Sequence, residues 1–140
     1  MIKNVINGYG TPAYSVCDKS PWGSPDMKVE TDVAYAKQLL DEAGWAAGAD
    51  GIREKDGVRA AFDLYYASND SVRQALSAEF ANQMKELGIE VSIKGASWDD
   101  IYPHQYSDPI LWGWGSNAPV ETYELNYSTG WGNYACYENE

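Results

Sequence analysis

The chain has 140 residues, enough for one domain with a core of its own and too few for two. Its 44% hydrophobic content is that of an ordinary globular protein, and a formal net charge of -11 without any Lys/Arg cluster excludes a nucleic-acid surface. No apolar run is long enough to span a bilayer, and residues 1–9 lack a signal-peptide pattern, though a signal belonging to a longer parent would lie outside this stretch.

In chain order, Ile2, Val5 and Ile6 are apolar but leave no room for a complete helix, and residues 7–25 carry Gly, Pro, Ser, Tyr and Trp without periodicity, as a long ordered loop does. Asp32 is placed to cap a helix over 33–43, with Val33, Ala36, Leu39, Leu40 and Ala43 as its buried stripe. Gly44 ends that helix, and Trp45 packs back on its last turn. Gly48-Ala49-Asp50-Gly51 is a turn and not a calcium loop, because Ala49 stands where an oxygen ligand is needed. Asp56-Gly57 between two short extended runs predicts a hairpin over 52–62.

The alternating stretch 61–66 predicts a strand with Phe62, Leu64 and Tyr66 on one face. Asp70 closes the polar run Ala67-Ser68-Asn69-Asp70, whose short side chains can cap a helix that runs to Leu87. Val72, Ala75, Leu76, Phe80, Met84 and Leu87 form its apolar stripe, and Gly88 ends it. Residues 89–94 predict a second strand near the sheet edge, with Ile89, Val91 and Ile93 inward. After Trp98-Asp99-Asp100 and a short helix to His104, residues 110–114 are apolar on both faces and predict a central third strand. Pro119 opens a helix that continues over 120–127. Strands alternating with helices imply parallel pairing, and in such sheets ligands lie beyond the carboxyl ends of the strands. The loops leaving those ends are 67–70, 95–99 and 115–118.

Catalysis finds little footing. His104 is the only histidine and has no nucleophile signature beside it, so a structural role is the better account. Cys17, His104 and Cys136 lack zinc-ligand spacing, and no phosphate-cradling glycine motif is present. The chain therefore reads as neither an enzyme nor a holder of a metal or cofactor. The two cysteines are too few for a disulfide scaffold, and whether they pair depends on the termini meeting. The composition is unusual in its aromatics, 6 Trp and 11 Tyr against 2 Phe. These rings suit half-wet surfaces such as ligand clefts, although core filling is the commoner role for any single one.

Over 32–57 and 62–126 the chain resembles the extracytoplasmic solute-binding proteins of peptide and nickel ABC importers, family 5. The resemblance is carried by Ala36-Lys37-Gln38-Leu39-Leu40-Asp41-Glu42-Ala43-Gly44-Trp45, by Asp50-Gly51-Ile52-Arg53-Glu54-Lys55-Asp56-Gly57 and by the strand-helix-strand core. Trp98-Asp99-Asp100-Ile101-Tyr102 and Trp112-Gly113-Trp114 with Pro119 behind complete it. It implies an α/β fold, a periplasmic-binding-protein-like (type II) lobe with a βαβαβ core of parallel strands plus a preceding helix and hairpin. Residues 1–140 would then be a single partial domain, the second lobe of a two-lobed clamp, in the periplasm or lipid-anchored at the cell surface. The implied partners are a small solute or peptide ligand, the first lobe of the same protein and a membrane permease. Trp112, Trp114, Ser116, Asn117, Asn69 and Trp98 are the expected ligand-binding residues. Peptide-binding relatives hold the ligand's amino terminus with an aspartate where this sequence has Gly115, which implies a ligand lacking a free α-amino group at that end. The alternative is a stand-alone flavodoxin-like α/β domain acting as a small enzyme or regulatory module.

Overall fold

The computed structural model describes residues 1–15, 18, 20–114, 118–136 and 138. The elements are α1 (Ile2–Ile6), α2 (Val33–Glu42), β1 (Ala46–Ala47), β2 (Arg53–Lys55), β3 (Val58–Arg59), β4 (Ala61–Ala67), α3 (Ser71–Glu86), β5 (Glu90–Ala96), α4 (Trp98–Ile101) and α5 (Pro119–Asn126). Short 3-10 turns occupy Pro25–Met27 and Tyr102–His104.

Local chemistry explains most of these boundaries. The Asp32 carboxylate accepts a hydrogen bond from the Tyr35 backbone N–H at 2.9 Å, and Asp70 does the same for Arg73 at 2.9 Å, so α2 and α3 start where an oxygen meets otherwise unpaired donors. Gly44 and Gly88 end the same two helices with φ of 84° and 76°. Asp56 and Gly57 both have positive φ, the geometry of a tight hairpin turn joining antiparallel β2 and β3. In the turn before them the Asp50 Oδ1 accepts from the Ile52 N–H at 3.1 Å, and its Oδ2 pairs with Arg59 across the hairpin.

β4 and β5 run parallel in full register from Ala61↔Glu90 to Ala67↔Ala96, with α3 as the crossover packed against both. Leu64, Ala81 and Val91 form the core, flanked by Phe62, Phe80, Met84 and Ile89. Arg53 locks the first half of the chain to this unit. It is only 8% exposed, its Nε–H donates to the Leu87 carbonyl at 2.8 Å, and its Nη1 donates to the Trp45 carbonyl and the Asp41 carboxylate.

Several expectations are corrected here. Residues 1–6 do form a short helix, α1, which closes with a left-handed Asn7 and lies against α3. Residues 110–114 do not form a strand. A single parallel bridge joins Ile110 to Tyr65, held by Tyr65 N–H to Pro109 O at 2.9 Å and Leu111 N–H to Tyr65 O at 2.8 Å. Apolar character on both faces favours burial but supplies no hydrogen-bonded neighbour, and the one bridge to β4 is the only strand pairing this segment makes among the described residues.

The buried face of α3 also differs from the expected stripe. Val72 and Ala75 are exposed, while the small Ser77 and Ala81 are buried with Phe80 and Met84 half-buried against the core and Leu76 half-buried as well. The stripe on α2 is not buried: Val33 and Leu39 are 39% and 46% exposed, since nothing among the described residues packs across them. The second strand starts at Glu90 rather than Ile89, and Ile93 stays 36% exposed although Val91, on the same face, is buried.

Candidate ligand-binding site

The carboxyl ends of β4 and β5 lie side by side, tied by the Ser68 N–H to the Ala96 carbonyl at 2.9 Å. Three segments leave this end. Past Ala67, Asn69 is exposed in the turn before Asp70. Past Ala96, the Ser97 Oγ accepts from the Asp100 N–H at 3.3 Å and so caps α4 with Trp98 as its first residue. The third segment is anchored lower down. The His104 ring stacks on Tyr65 of β4 with centroids 4.1 Å apart, and its Nδ1 lies 2.9 Å from the Asp108 carboxylate. These contacts fix residues 104–110 against the sheet, and the Ile110 bridge then aims Trp112 toward Trp98.

What results is one contiguous aromatic wall. Trp112 is its hub, with ring centroids 4.9 Å from Trp98, 5.8 Å from Tyr102, 5.1 Å from Tyr134 and 6.1 Å from Trp114. Trp114 continues to Trp131 at 5.6 Å in an edge-on contact, and Tyr134 to Tyr106 at 6.1 Å. Trp112 and Trp114 are stacked and the other pairs tilted or edge-on, and ring quadrupoles favour offset-stacked and edge-to-face arrangements. The last stretch is held by α5, whose Glu124 accepts from the Trp131 N–H through its side chain at 3.1 Å and from the Gly132 N–H through its carbonyl at 3.2 Å.

Beside the wall runs a groove of about 350 Å³ bordered by Gln105, Asp108, Ile110, Trp112, Trp114, Leu125 and Tyr134. Burial, with the Tyr102 and Tyr106 hydroxyls nearby, pushes the Tyr134 phenol above its usual range, so it stays a neutral donor. The Ser107 hydroxyl, and then the His104 ring, hold the Asp108 carboxyl below its ordinary value. The arrangement offers stacking surface and a few neutral or singly charged hydrogen-bonding groups. Among the described residues no group of three or more His, Cys, Asp or Glu side chains is placed to hold a metal ion. A larger cavity of about 680 Å³ opens between α1, α2 and the carboxyl end of α3, at the opposite end of the sheet from these loops.

Of the residues expected from sequence to meet ligand, Trp98, Trp112 and Trp114 are drawn into one cluster. Asn69 shares that end of the sheet but stands outside the ring cluster. Ser116 and Asn117, with Gly115 before them, lie outside the described residues, as does Cys17; Cys136 is a free, exposed thiol. Sequence reasoning missed Tyr102, Trp131 and Tyr134 as site residues; the excess of Trp and Tyr pointed to all three, and Tyr102 also closes the Trp98–Tyr102 motif. Arg73, outside the apolar stripe expected for its helix, was missed as well, although an Arg three residues after an aspartate cap is a pairing pattern in its own right.

With this geometry in view, the family comparison decides the class. The model of bacterial extracellular solute-binding proteins, family 5 (middle region), matches residues 1–135. The chain belongs to this family. Protein XP55 of Streptomyces lividans is 40% identical over 99% of this chain and 27% of that protein. The oligopeptide-binding protein AppA of Bacillus subtilis is 29% identical over 99% of this chain and 28% of its own length. The chain thus spans under a third of the family members it matches. Among solved structures, NikZ of Campylobacter jejuni in complex with Ni(L-His) superposes with a TM-score of 0.87 at 26% identity, covering 99% of this chain and 30% of that one. AppA in complex with a nonapeptide gives 0.78 at 27% identity, again over 99% and 30%. The fold is the α/β, type II periplasmic-binding-protein fold of these family members, which removes the stand-alone flavodoxin-like reading as a fold class.

No helix among the described residues is long and apolar enough to cross a membrane.

Proposed function

We propose that this chain is one lobe of the solute-binding component of an ABC importer, residues 1–140 forming a partial domain that supplies one wall of a ligand cleft. The observation that carries the reading is the aromatic wall of Trp98, Trp112 and Trp114 at the carboxyl ends of parallel strands, the position where open α/β sheets bind ligands. The opposing wall would come from a first lobe of the same protein, and the complex would deliver its solute to a membrane permease outside the cytoplasm, in the periplasm or from a lipid-anchored position. The chain acts by binding, without catalysis.

The solute is a peptide or comparable small molecule that stacks on indole and phenol rings. Gly115 in place of an amine-capturing aspartate favours a ligand whose nearest end is uncharged, because an ammonium enclosed without a carboxylate partner is strongly penalised. Ser116, Asn117 and Asn69 complete the proposed set with neutral hydrogen-bonding groups.

The reading is tested by titrating the isotopically labelled chain with millimolar mixtures of free and N-acetylated tripeptides while following the six indole N–H signals by NMR. Half a clamp retains only a small surplus after the entropy of association is offset, so weak binding is expected, with shifts at Trp98, Trp112 and Trp114 that are larger for the acetylated set. Unmoved indoles would sink the wall assignment. Submicromolar affinity in this chain alone would sink the two-lobe reading.

A further inference from the structure

All three loops at the ligand end of the sheet meet at one side chain. Arg73 is in the first turn of α3, where its backbone N–H donates to Asp70 Oδ1 at 2.9 Å and its Nη1 to Asp70 Oδ2 at 3.0 Å. The same guanidinium lies over the Trp98 ring, 5.8 Å from the centroid, which places a cation on the electron-rich face of an indole. Its third neighbour is the backbone at Gly113, between the two tryptophans of the third segment. A methyl group built at Gly113 would stand 2.9 Å from Arg73 Nη2, closer than side-chain carbons normally come. An alanine there would have to displace the end of the Arg73 side chain from its present place. Arg73 thus pairs with Asp70 after β4, lies over Trp98 after β5, and has its guanidinium where a side chain on Gly113 would have to go.

We propose that Arg73 is the positioning residue of the aromatic wall: its planar guanidinium, oriented by Asp70, sets the spacing between Trp98 and the 112–114 segment and thereby tunes affinity for the stacked ligand. The geometry suits Arg over Lys, because a flat fork can lie on a ring, reach a carboxylate and fit under a backbone at once, while an ammonium is a compact, strongly hydrated point charge. The Trp98–Trp112 contact at 4.9 Å is the distance so controlled. This inference rests on the ligand-wall reading for its effect on affinity but not for its effect on the rings.

The experiment is a double-mutant cycle in the labelled chain, read first without ligand at the Trp98 indole signal, which Trp98→Phe assigns. Arg73→Met keeps the length of the stem and removes the fork, and Gly113→Ala pushes the fork away from the backbone. Each single change is expected to move the Trp98 signal, while Gly113→Ala is expected to add little once Arg73 is Met. Arg73→Lys, which keeps the charge and the aspartate pairing, should give an intermediate position and covers the case in which Arg73→Met folds poorly. The signals of Trp22 and Trp45, remote in sequence, serve as internal references. A Trp98 signal indifferent to all three variants, or single effects that simply add, would overturn the inference. In the presence of acetylated tripeptides, Arg73→Met is expected to weaken binding roughly tenfold, the ratio that ~1.4 kcal/mol represents. Unchanged affinity in a variant whose Trp98 has moved would also overturn it. If the wild-type chain binds no tripeptide, the ligand-wall reading fails, and the ligand-free cycle still decides whether Arg73 positions the rings.

Discussion

Three glycines with nearly the same backbone conformation provide a test of what close packing adds to conformational strain. Gly51, Gly57 and Gly88 have φ of 83°, 78° and 76°, so alanine at any of them meets the same left-handed penalty, roughly 1–2 kcal/mol. Their surroundings differ. A Cβ at Gly51 or Gly57 would meet nothing within 4 Å, while one at Gly88 would stand 2.9 Å from the Gly51 carbonyl oxygen and 2.9 Å from Arg53 Cγ. The first of these is backbone, and the second belongs to the buried arginine whose own N–H donates to the Gly88 carbonyl at 2.7 Å, so neither neighbour is free to yield. Overpacking of this kind costs about 1–3 kcal/mol. Gly51→Ala and Gly57→Ala are therefore expected to cost about 1–2 kcal/mol and Gly88→Ala about 2–5 kcal/mol. Urea denaturation followed by far-ultraviolet circular dichroism and by tryptophan fluorescence measures all three. Equal losses at the three sites would refute the close-approach argument, and a negligible loss at Gly88 would refute the helix end itself.

Two further changes probe the scaffold. Arg53→Met keeps the aliphatic stem but strips donors from the Leu87 and Trp45 carbonyls, and with the Asp41 partner 66% exposed and adding little, a loss of about 2–4 kcal/mol is expected in the same urea assay. Arg53→Lys should recover only part of it, and full recovery would show that charge alone matters there. Asp108, whose carboxyl is held below its ordinary 3.8 by Ser107 and His104, contributes stability that is present above that value and is lost as pH falls through the depressed folded-state pKa. The stability gap between wild type and Asp108→Asn should accordingly be constant near neutrality and close progressively below about pH 4, the ordinary carboxyl range. A gap that persists unchanged into that acid range would contradict the assigned hydrogen bonds.

The relation between chain and fold follows a physical division. Asp32, Asp70, Gly44, Gly88 and the Asp56-Gly57 turn act on backbone groups within a few residues of themselves, so α2, α3 and the hairpin were determined by the sequence alone, and the two full strands by their alternation. The family-5 pattern was legible for the same reason, being a fixed order of such local signals. Burial was not legible in this way. Periodicity marks which face of α2 or α3 is apolar, but whether Val33, Leu39 or Val72 is covered depends on which other surface arrives. The third strand failed on the same ground, since a strand exists only through its neighbour and β4 supplies one bridge. Trp98, Trp112 and Trp114 were recognisable singly as rings near strand ends. Their assembly with Tyr102, Trp131 and Tyr134, and the placement of Arg73 between Asp70, Trp98 and Gly113, were decided only by tertiary structure, because those contacts join loops that no local interaction connects.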